Sequence, residues 1–303
     1  MKKFIVKIGI FFLLVAIIDV VCGFGFDFLR SHAKGGSTAK QYYISEKCED
    51  DILILGSSKA DRHYVPSVIM DSLGVTCYNC GEPGCGIIPA YARYKMVAER
   101  HKPKLVIYEV TPNYDYFVAD DYSKYLGRVR QDTDKESVKE LYSVFGDDLE
   151  KVRQLSNMYR NNSAILHNAM DIFASSDKYF GYEPLFGVLK SESKSSNMKK
   201  NEHVLDTLKY SYVEKLFAQI IEDDVPLVCM ISPQPYPNDE ELASFEPAIR
   251  LCQKYDIPFI DNRKMDIFAG NKSCFQDFTH LNHTGAIAYT QQIIPTIKHY
   301  IKN

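Results

Sequence analysis

Three side chains in this sequence have the types and local settings that nucleophilic acyl chemistry requires. Ser58 ends the block Gly56-Ser57-Ser58, directly after an unbroken aliphatic run. Asp277 precedes His280 by three residues near the C-terminus, a spacing that lets the carboxylate hold Nδ1–H of the imidazole and leave Nε2 free as a base. A lone Asp-x-x-His pair is not specific, and the serines are equally typical of a helix N-cap. Further residues at the same place in the fold are needed to favour catalysis.

Two other predicted strand ends supply such residues. The glycine-rich block Asn79-Cys-Gly81-Glu-Pro-Gly84 follows the second strand, where glycines let the backbone approach a ligand closely. Asn113 follows the third strand in the block Thr111-Pro-Asn113. Ligands of open α/β sheets bind beyond the carboxyl ends of the strands. We therefore expect these blocks to meet Ser58 and His280 at one edge of one sheet.

The elements that would position these residues alternate between apolar runs and helical patterns. This alternation predicts the α/β class with right-handed crossovers, as a flavodoxin-like three-layer α/β/α sandwich around a five-stranded parallel sheet. The first apolar run is typical of a strand buried on both faces. The predicted strands are 51–58, 75–79, 105–110, 226–232 and 258–261, and the predicted helices are 67–73, 90–101, 137–142, 147–160, 204–222, 240–255 and 284–301.

The N-terminus predicts a membrane anchor over residues 1–28. Two lysines precede an apolar run from Phe4 to Phe28, which is near the roughly 20 residues that a helix needs to cross a bilayer. The leading lysines favour a cytoplasmic N-terminus, which would place the remaining chain in the periplasm or outside the cell. Lys7 and Asp19 interrupt the run, and we expect Asp19 to face a partner helix or to lie near the interface.

Two other interpretations of the N-terminus fit less well. A cleavable signal peptide would need a small-x-small cleavage site, and none follows the run. Lipidation of Cys22 would need small residues before it, whereas Asp19-Val20-Val21 stands there.

The predicted domain organisation has four parts. The anchor is followed by a tether at 29–47, which contains Gly35-Gly36-Ser37-Thr38 and is predicted to be polar and flexible. The domain at 48–303 contains the strands. A helical insertion at about 116–203 interrupts it and predicts a lid or a docking surface.

Composition excludes some functional classes. The net charge is −3 and no basic stripe with interleaved aromatic residues occurs, which argues against nucleic acid as a partner. Cys77-x-x-Cys80 and Cys85 are spaced loosely like metal ligands, but a second pair is missing. The cysteines are better explained as core residues, with a disulfide left open. Without a metal motif or a nucleotide-binding glycine pattern, no cofactor is expected.

Four blocks in order resemble those of the SGNH/GDSL hydrolase superfamily, and they cover about residues 50–116 and 226–300. They are Gly56-Ser57-Ser58, Asn79-Cys-Gly81-Glu-Pro-Gly84, Thr111-Pro-Asn113 and Asp277-Phe-Thr-His280. The resemblance implies a Ser-His-Asp triad. In it Ser58 is the nucleophile, His280 the general base and then acid, and Asp277 its orienting partner. It also implies an oxyanion hole made by the Ser58 N–H, the Gly84 N–H and the Asn113 side chain.

Two positions depart from the family pattern. Ser57 replaces an aspartate in the first block, and Thr111 replaces a glycine in the third. The Gly-Ser-Ser version looks like the membrane-tethered branch with the D-alanyl transfer protein of teichoic-acid modification and the alginate acetyltransferases. Thr111 carries a Cβ where the family has none, which predicts a crowded loop or an altered oxyanion hole at Asn113.

Several further residues are candidates for the pocket. Ser57 and Gly81 belong to the blocks themselves. His63 follows Ser58 by five residues and would line the pocket, or lie on the surface or at a helix cap. His283 is a rival base without the preceding aspartate, or a polar residue near the start of the last helix. Glu109, within an aliphatic run, would be a buried carboxylate that needs a partner or a raised pKa.

The predicted function is serine-dependent ester hydrolysis or O-acyl transfer, on acylated carbohydrate of the cell envelope or another ester. The alternative is a non-catalytic envelope protein that keeps the SGNH-like fold and binds glycan or a membrane-protein partner through its insertion. The Thr111 departure favours this alternative.

Overall fold

The computed structural model describes residues 1–118, 121–162, 164–190 and 204–302. The end of the predicted insertion, 191–203, lies outside these residues. The chain divides into two compact units. We call Met1–Lys47 with Tyr122–Asp177 the anchor unit, and Cys48–Asp121 with Lys178–Asn303 the sheet unit.

The helices of the described residues are numbered along the chain. They are α1 Lys2–Ser31, α2 Gly36–Glu46, α3 Ser58–His63, α4 Pro66–Leu73, α5 Ile87–Ala98, α6 Pro112–Asp115, α7 Tyr122–Leu126, α8 Glu136–Phe145, α9 Asp148–Arg153, α10 Asn157–Asn161, α11 Ile165–Asp171, α12 Thr207–Glu222, α13 Glu246–Lys254 and α14 His283–Tyr300. Three short 3-10 helices accompany them at Arg130–Asp132, Asp239–Phe245 and Lys272–Cys274.

The sheet unit contains five parallel strands in the order β2-β1-β3-β4-β5. They are β1 Ile52–Gly56, β2 Cys77–Asn79, β3 Leu105–Glu109, β4 Leu227–Ile231 and β5 Phe259–Asp261. The prediction of an α/β fold with a five-stranded parallel sheet is confirmed. This strand order is that of flavodoxin-like folds, in which the chain leaves the first strand at a switch point of the sheet.

Helices cover both faces of the sheet, because successive residues of a strand point to opposite sides. Ile52 and Ile54 of β1 belong to the core cluster that includes Tyr289 and Ile293 of α14. Tyr108 of β3 packs against Phe217 of α12 with ring centroids 5.8 Å apart. The strands β1, β3 and β4 are buried along their whole length, as their unbroken aliphatic sequences predict.

Strand register brings the functional loops to one edge. Gly56, the last residue of β1, pairs with Glu109, the last residue of β3. Glu109 in turn pairs with Met230 near the end of β4. The segments that follow these strands, which carry Ser58, Thr111 and Ser232, therefore leave the sheet side by side.

Helix boundaries differ from the sequence prediction where a cap intervenes. The predicted helix at 147–160 is two helices, α9 and α10, because the Ser156 side chain accepts a hydrogen bond from the Tyr159 N–H and starts a new helix. The helix predicted from residue 90 begins at Ile87, directly after the glycine-rich loop. Gly74 ends α4 with φ +69°, the left-handed conformation expected of a glycine there.

The flexible tether predicted at 29–47 is wrong over most of its length. Its first residues continue α1, and residues 36–46 form α2. The α2 start is held by α11, because the Thr38 N–H donates to Asp171 Oδ2 at 3.1 Å and the Thr38 hydroxyl to Asn168 Oδ1 at 2.9 Å. Gly36 adopts φ +71°, so the glycines serve a backbone turn rather than flexibility.

Helix α1 is 30 residues long, and in the described part of the chain it alone is long and apolar enough to cross a membrane. A signal sequence near the N-terminus would have the same properties. Its distal half packs against the rest of the anchor unit: Gly23, Phe26 and Arg30 are buried, and Arg30 forms an ion pair with Asp132.

The cysteines are all free thiols, and six of the seven beyond α1 are buried. Their interpretation as core residues is confirmed for those six. Cys274 is half-buried.

Candidate active site

Ser58 is the first residue of α3, immediately after β1. The turn between them depends on Gly56, whose φ is +138° and whose missing Cβ would lie 2.6 Å from the Glu109 carbonyl oxygen. Only glycine fits this close approach. Ser57, at the N-cap position, makes no capping hydrogen bond through its side chain, and the Ser58 hydroxyl is half-buried.

Ser58, His280 and Asp277 form one continuous hydrogen-bonded chain. Ser58 Oγ lies 2.9 Å from His280 Nε2. His280 Nδ1 lies 3.0 Å from Asp277 Oδ2 and 3.2 Å from Oδ1. His280 and Asp277 lie in the segment just before α14. His280 is 222 residues from Ser58 in sequence, and the fold brings the two into contact.

The electrostatics of Asp277 set the tautomer of His280. Partial burial alone would raise the pKa of this carboxyl. Hydrogen bonds from the His280 ring and from the N–H groups of Thr279 and His280, at 2.7 and 2.8 Å for the two N–H groups, lower the pKa to about 2. An ionised Asp277 only accepts, so Nδ1 of His280 must donate. A neutral His280 then offers the Nε2 lone pair to the Ser58 hydroxyl, which is the arrangement of a general base.

The candidate oxyanion donors lie on loops that follow β2 and β3. Gly84 is half-buried and has φ +70°, with open space where a Cβ would be. Asn113 is an exposed residue of α6, which follows β3. Their orientation toward a bound ester stays a prediction.

Gly81 and Asn79 fasten the glycine-rich loop to α3. A Cβ on Gly81 would lie 2.4 Å from the Asp61 nitrogen, so the loop and α3 pack backbone against backbone. Asn79 accepts from the Gly81 N–H at 3.0 Å and donates to the carbonyls of Ala60 and Tyr64 at 2.7 and 3.0 Å. Both residues of this block therefore position the helix that begins with Ser58.

Ser57 and Thr111, the two positions that differ from the SGNH/GDSL pattern that the sequence resembles, contact each other. The buried Ser57 hydroxyl donates to Thr111 Oγ1 at 2.8 Å. The Thr111 N–H donates to Asp115 Oδ2 at 2.7 Å. The Ser57 hydroxyl is therefore a buried, hydrogen-bonded group, and the side chain of Thr111 has a matched partner on the neighbouring loop.

Asp115 is a buried neighbour of the candidate site that the sequence did not single out. It is fully buried, and it accepts from the Tyr108 hydroxyl at 2.8 Å as well as from Thr111. Burial raises the pKa of this carboxyl to about 7 despite these hydrogen bonds. The only sequence signal was an aspartate two residues after Asn113, which looks like a solvated helix residue.

A second hydrogen-bonded chain contacts the segment that carries His280. It consists of His63, Ser232 and Glu109, and we call it the buried relay. His63 Nε2 accepts from the Leu281 N–H at 3.0 Å, and His63 Nδ1 lies 2.7 Å from Ser232 Oγ. The Ser232 hydroxyl donates to Glu109 Oε1 at 2.7 Å, and the Ser232 N–H donates to the same oxygen at 3.0 Å. Because Leu281 follows His280 directly, the relay holds the backbone next to His280.

Both ionisable groups of the relay behave as buried residues. His63 is fully buried, so its interpretation as a surface or capping residue is wrong. Burial, with His280 and the cations Lys59 and Arg62 nearby, holds the pKa of His63 well below its usual value. Burial raises the pKa of Glu109, which also accepts from the Tyr64 hydroxyl. The expectation that Glu109 needs partners is met by Tyr64 and Ser232.

His283 takes a different position from His280. It is the first residue of α14, and its Nδ1 lies 2.9 Å from the Tyr182 hydroxyl. The two rings stack with centroids 5.8 Å apart. His280 is the histidine that the structure places against Ser58.

Comparisons with known proteins add little to this geometry. No protein-family model and no curated protein sequence matches the chain. One similar solved structure is a Bacteroides fragilis protein described provisionally as an acylhydrolase. It is 11% identical, the match covers 83% of this chain and 89% of that one, and the TM-score is 0.37. A likeness this low carries no weight for function.

Proposed function

We propose that this chain is a serine-dependent esterase or O-acyltransferase of the SGNH type. Ser58 would be the nucleophile, His280 the general base and acid, and Asp277 the residue that orients His280. The observation that supports this most strongly is the unbroken Asp277–His280–Ser58 chain, with contacts of 3.0 and 2.9 Å.

The proposed mechanism uses these residues in two half-reactions. His280 Nε2 takes the hydroxyl proton of Ser58 as Ser58 Oγ attacks the ester carbonyl carbon. The tetrahedral intermediate collapses, the C–O bond to the leaving alcohol breaks, and His280 returns the proton to that alcohol. Water or a sugar hydroxyl, deprotonated by His280, then attacks the acyl-serine and regenerates Ser58. The ionised Asp277 stabilises the imidazolium in both half-reactions.

The oxyanion of each tetrahedral intermediate needs donors that are fixed in advance. We assign this role to the N–H groups of Ser58 and Gly84 and to the Asn113 side chain. Loss of one such donor typically raises the barrier by about 2.7–4 kcal/mol. The α6 segment that carries Asn113 is held at its start by the Thr111 N–H, which donates to Asp115 Oδ2 at 2.7 Å.

The proposed cellular setting follows from α1 and the resemblance of the first block. We propose that α1 stays attached as a membrane anchor, with Lys2 and Lys3 in the cytoplasm and the site on the other side of the membrane. The anchor unit supports retention, because Arg30 of α1 pairs with Asp132 inside it. We propose acylated carbohydrate of the cell envelope as the substrate class, from the resemblance of Gly56-Ser57-Ser58 alone.

Ester turnover by the detergent-solubilised full-length chain tests this proposal. The wild type is expected to hydrolyse p-nitrophenyl acetate, and Ser58→Ala to lose this activity. Ser72→Ala is the matched control, because Ser72 is an exposed serine of α4 whose hydroxyl donates within its own helix, at 2.7 Å to the Val68 carbonyl. Equal turnover by wild type and Ser58→Ala would reject Ser58 as the nucleophile.

Product analysis separates the two acceptors. Incubation with the acetyl ester and a sugar acceptor yields an acyl-sugar if the chain is a transferase. Free acetate without acyl-sugar identifies a hydrolase and rejects the transferase form.

A further inference from the structure

Asp19, the one acidic residue in the middle of α1, caps the start of α10. Its carboxylate accepts from the Ser156 hydroxyl at 2.7 Å and from the N–H groups of Asn157 and Met158 at 2.8 and 2.9 Å. The Asn157 side chain donates a fourth hydrogen bond at 3.1 Å. A carboxylate within an apolar helix is costly in lipid unless it is paired, and here its partners come from the anchor unit.

Gly23, one turn after Asp19, lets α10 come close to α1. A Cβ at Gly23 would lie 2.8 Å from Asn157 Cγ. Small residues allow such close approach between helices in membranes. The contact between α1 and α10 therefore combines the hydrogen bonds of Asp19 with the close approach that Gly23 allows.

The depth of Asp19 fixes the depth of α10. From Lys3 to Asp19 the helix rises about 24 Å, at 1.5 Å per residue. The hydrocarbon core is about 30 Å thick, so Asp19 lies in its distal half when α1 spans the bilayer. The backbone that bonds Asp19 must lie at the same depth.

Four exposed apolar side chains flank this contact at a spacing of three residues. They are Leu149, Val152, Leu155 and Met158, with exposed fractions of 54%, 63%, 82% and 44%, and we call them the α9–α10 stripe. Leu155 directly precedes Ser156, and Met158 itself bonds Asp19. Exposed apolar side chains beside a membrane helix are typical of segments that rest in the interface.

We propose that the α9–α10 stripe is a lipid-contacting surface that lies in the distal leaflet beside α1. This inference requires α1 to span the membrane, but it is independent of catalysis at Ser58. We assign lipid as the partner of the stripe because the stripe flanks the contact with α1. Lipid covers the exposed apolar surface of α1 when that helix spans the membrane. The stripe would hold the anchor unit at a fixed rotation on the membrane.

The chain contains no tryptophan, so a single introduced tryptophan reports on its own surroundings. Leu155→Trp is the test variant. Phe173→Trp is the matched control, because Phe173 is 89% exposed and follows α11 near Asp171, whose carbonyl accepts from the Lys34 N–H at 2.9 Å. Ser31, the last residue of α1, lies about 18 Å farther along the helix axis than Asp19, and Lys34 follows it in the chain.

Both variants are reconstituted as full-length chains in phosphatidylcholine vesicles with and without brominated acyl chains. We expect blue-shifted emission from Leu155→Trp that brominated lipid largely quenches, and red-shifted, unquenched emission from Phe173→Trp. Val152→Trp serves in its place if Leu155→Trp fails to fold, as judged by circular dichroism.

Two results would overturn the inference. Red-shifted emission from Leu155→Trp that aqueous acrylamide quenches would place the stripe in water. Blue-shifted emission that brominated lipid does not quench would place it against protein. The Ser58→Ala background should give the same spectra, so failure here is distinct from failure of the proposed catalysis.

Discussion

Ser57 and Thr111 show how two unusual residues can accommodate each other. Each differs from the SGNH/GDSL pattern that the sequence resembles, and the Ser57 hydroxyl donates to Thr111 Oγ1 at 2.8 Å. Thr111 considered alone predicted a crowded loop. In the structure, Ser57 and Thr111 instead form a hydrogen bond between the loops that follow β1 and β3. Sequence reasoning found both residues but could not pair them, because they lie 54 residues apart.

Removing the acceptor tests this pairing. Thr111→Val keeps the shape but leaves the buried Ser57 hydroxyl without that partner, which should cost about 1–3 kcal/mol of unfolding free energy. Thr111→Ser keeps the hydroxyl and should cost less. Urea unfolding of the solubilised chain measures both, and equal losses would show that the hydroxyl is not what matters.

Asp277 should act through the tautomer of His280. Asp277→Asn removes the ionised acceptor of Nδ1–H, so kcat for ester hydrolysis should fall by about 10⁴-fold. Asp266→Asn is the control, because Asp266 is an exposed aspartate in the segment between β5 and the 3-10 helix Lys272–Cys274. A loss of less than tenfold at Asp277 would mean that another group orients His280.

His63 should act as a positioning residue through the Leu281 N–H. His63→Phe breaks the buried relay, so kcat per folded molecule should fall while KM for a small ester changes little. His63→Gln can both donate and accept, and should restore part of kcat. If both variants lose only folded protein and keep kcat per folded molecule, the relay is structural alone.

At the scale of elements, the strands were predictable because buried parallel strands are unbroken aliphatic runs. All five strands lie within the predicted segments. Helix α2 was not predicted because Thr38 is held by Asp171, which is distant in sequence. The break in the predicted 147–160 helix was missed because it depends on the hydrogen bond by which Ser156 caps α10. The helix propensities of the residues include neither the contact with Asp171 nor the Ser156 cap.

Gly81 makes the packing of the glycine-rich loop on α3 testable. Gly81→Ala would place a Cβ 2.4 Å from the Asp61 backbone, so α3 must shift and both stability and kcat should fall. The stability loss should be about 1–3 kcal/mol. Gly74→Ala, where no atom lies within 4 Å, should cost about 1–2 kcal/mol from its φ of +69° and leave kcat unchanged. An unchanged kcat in Gly81→Ala would mean that this loop does not position Ser58.

Across the molecule, the candidate site residues could be predicted from the sequence, but the buried residues that hold them in place could not. Ser58, His280 and Asp277 were recognisable because strand ends and an Asp-x-x-His spacing are local patterns. The buried relay joins residues that follow or end three separate strands, and Asp115 is buried only because the folded sheet unit surrounds it. Such support depends on tertiary packing and leaves no local signature.

The pH dependence of stability should carry the signature of Asp115. The pKa of this carboxyl is 3.8 unperturbed and about 7 in the fold, so the folded state binds more protons between these values. The resulting stabilisation is fully present below pH 3.8 and is lost as the pH rises through about 7. In Asp115→Asn the thermal midpoint should fall less between about pH 4 and pH 8 than in the wild type. Parallel curves would show that Asp115 does not titrate there.

Covalent labelling with a fluorophosphonate probe, mapped by mass spectrometry, tests most directly whether Ser58 is an activated nucleophile. We expect the wild-type chain to gain one label on the peptide containing Ser58, Ser58→Ala to gain none, and His280→Ala to react far more slowly. A wild-type chain that stays unlabelled, or a label on another serine, would contradict the proposed role of Ser58.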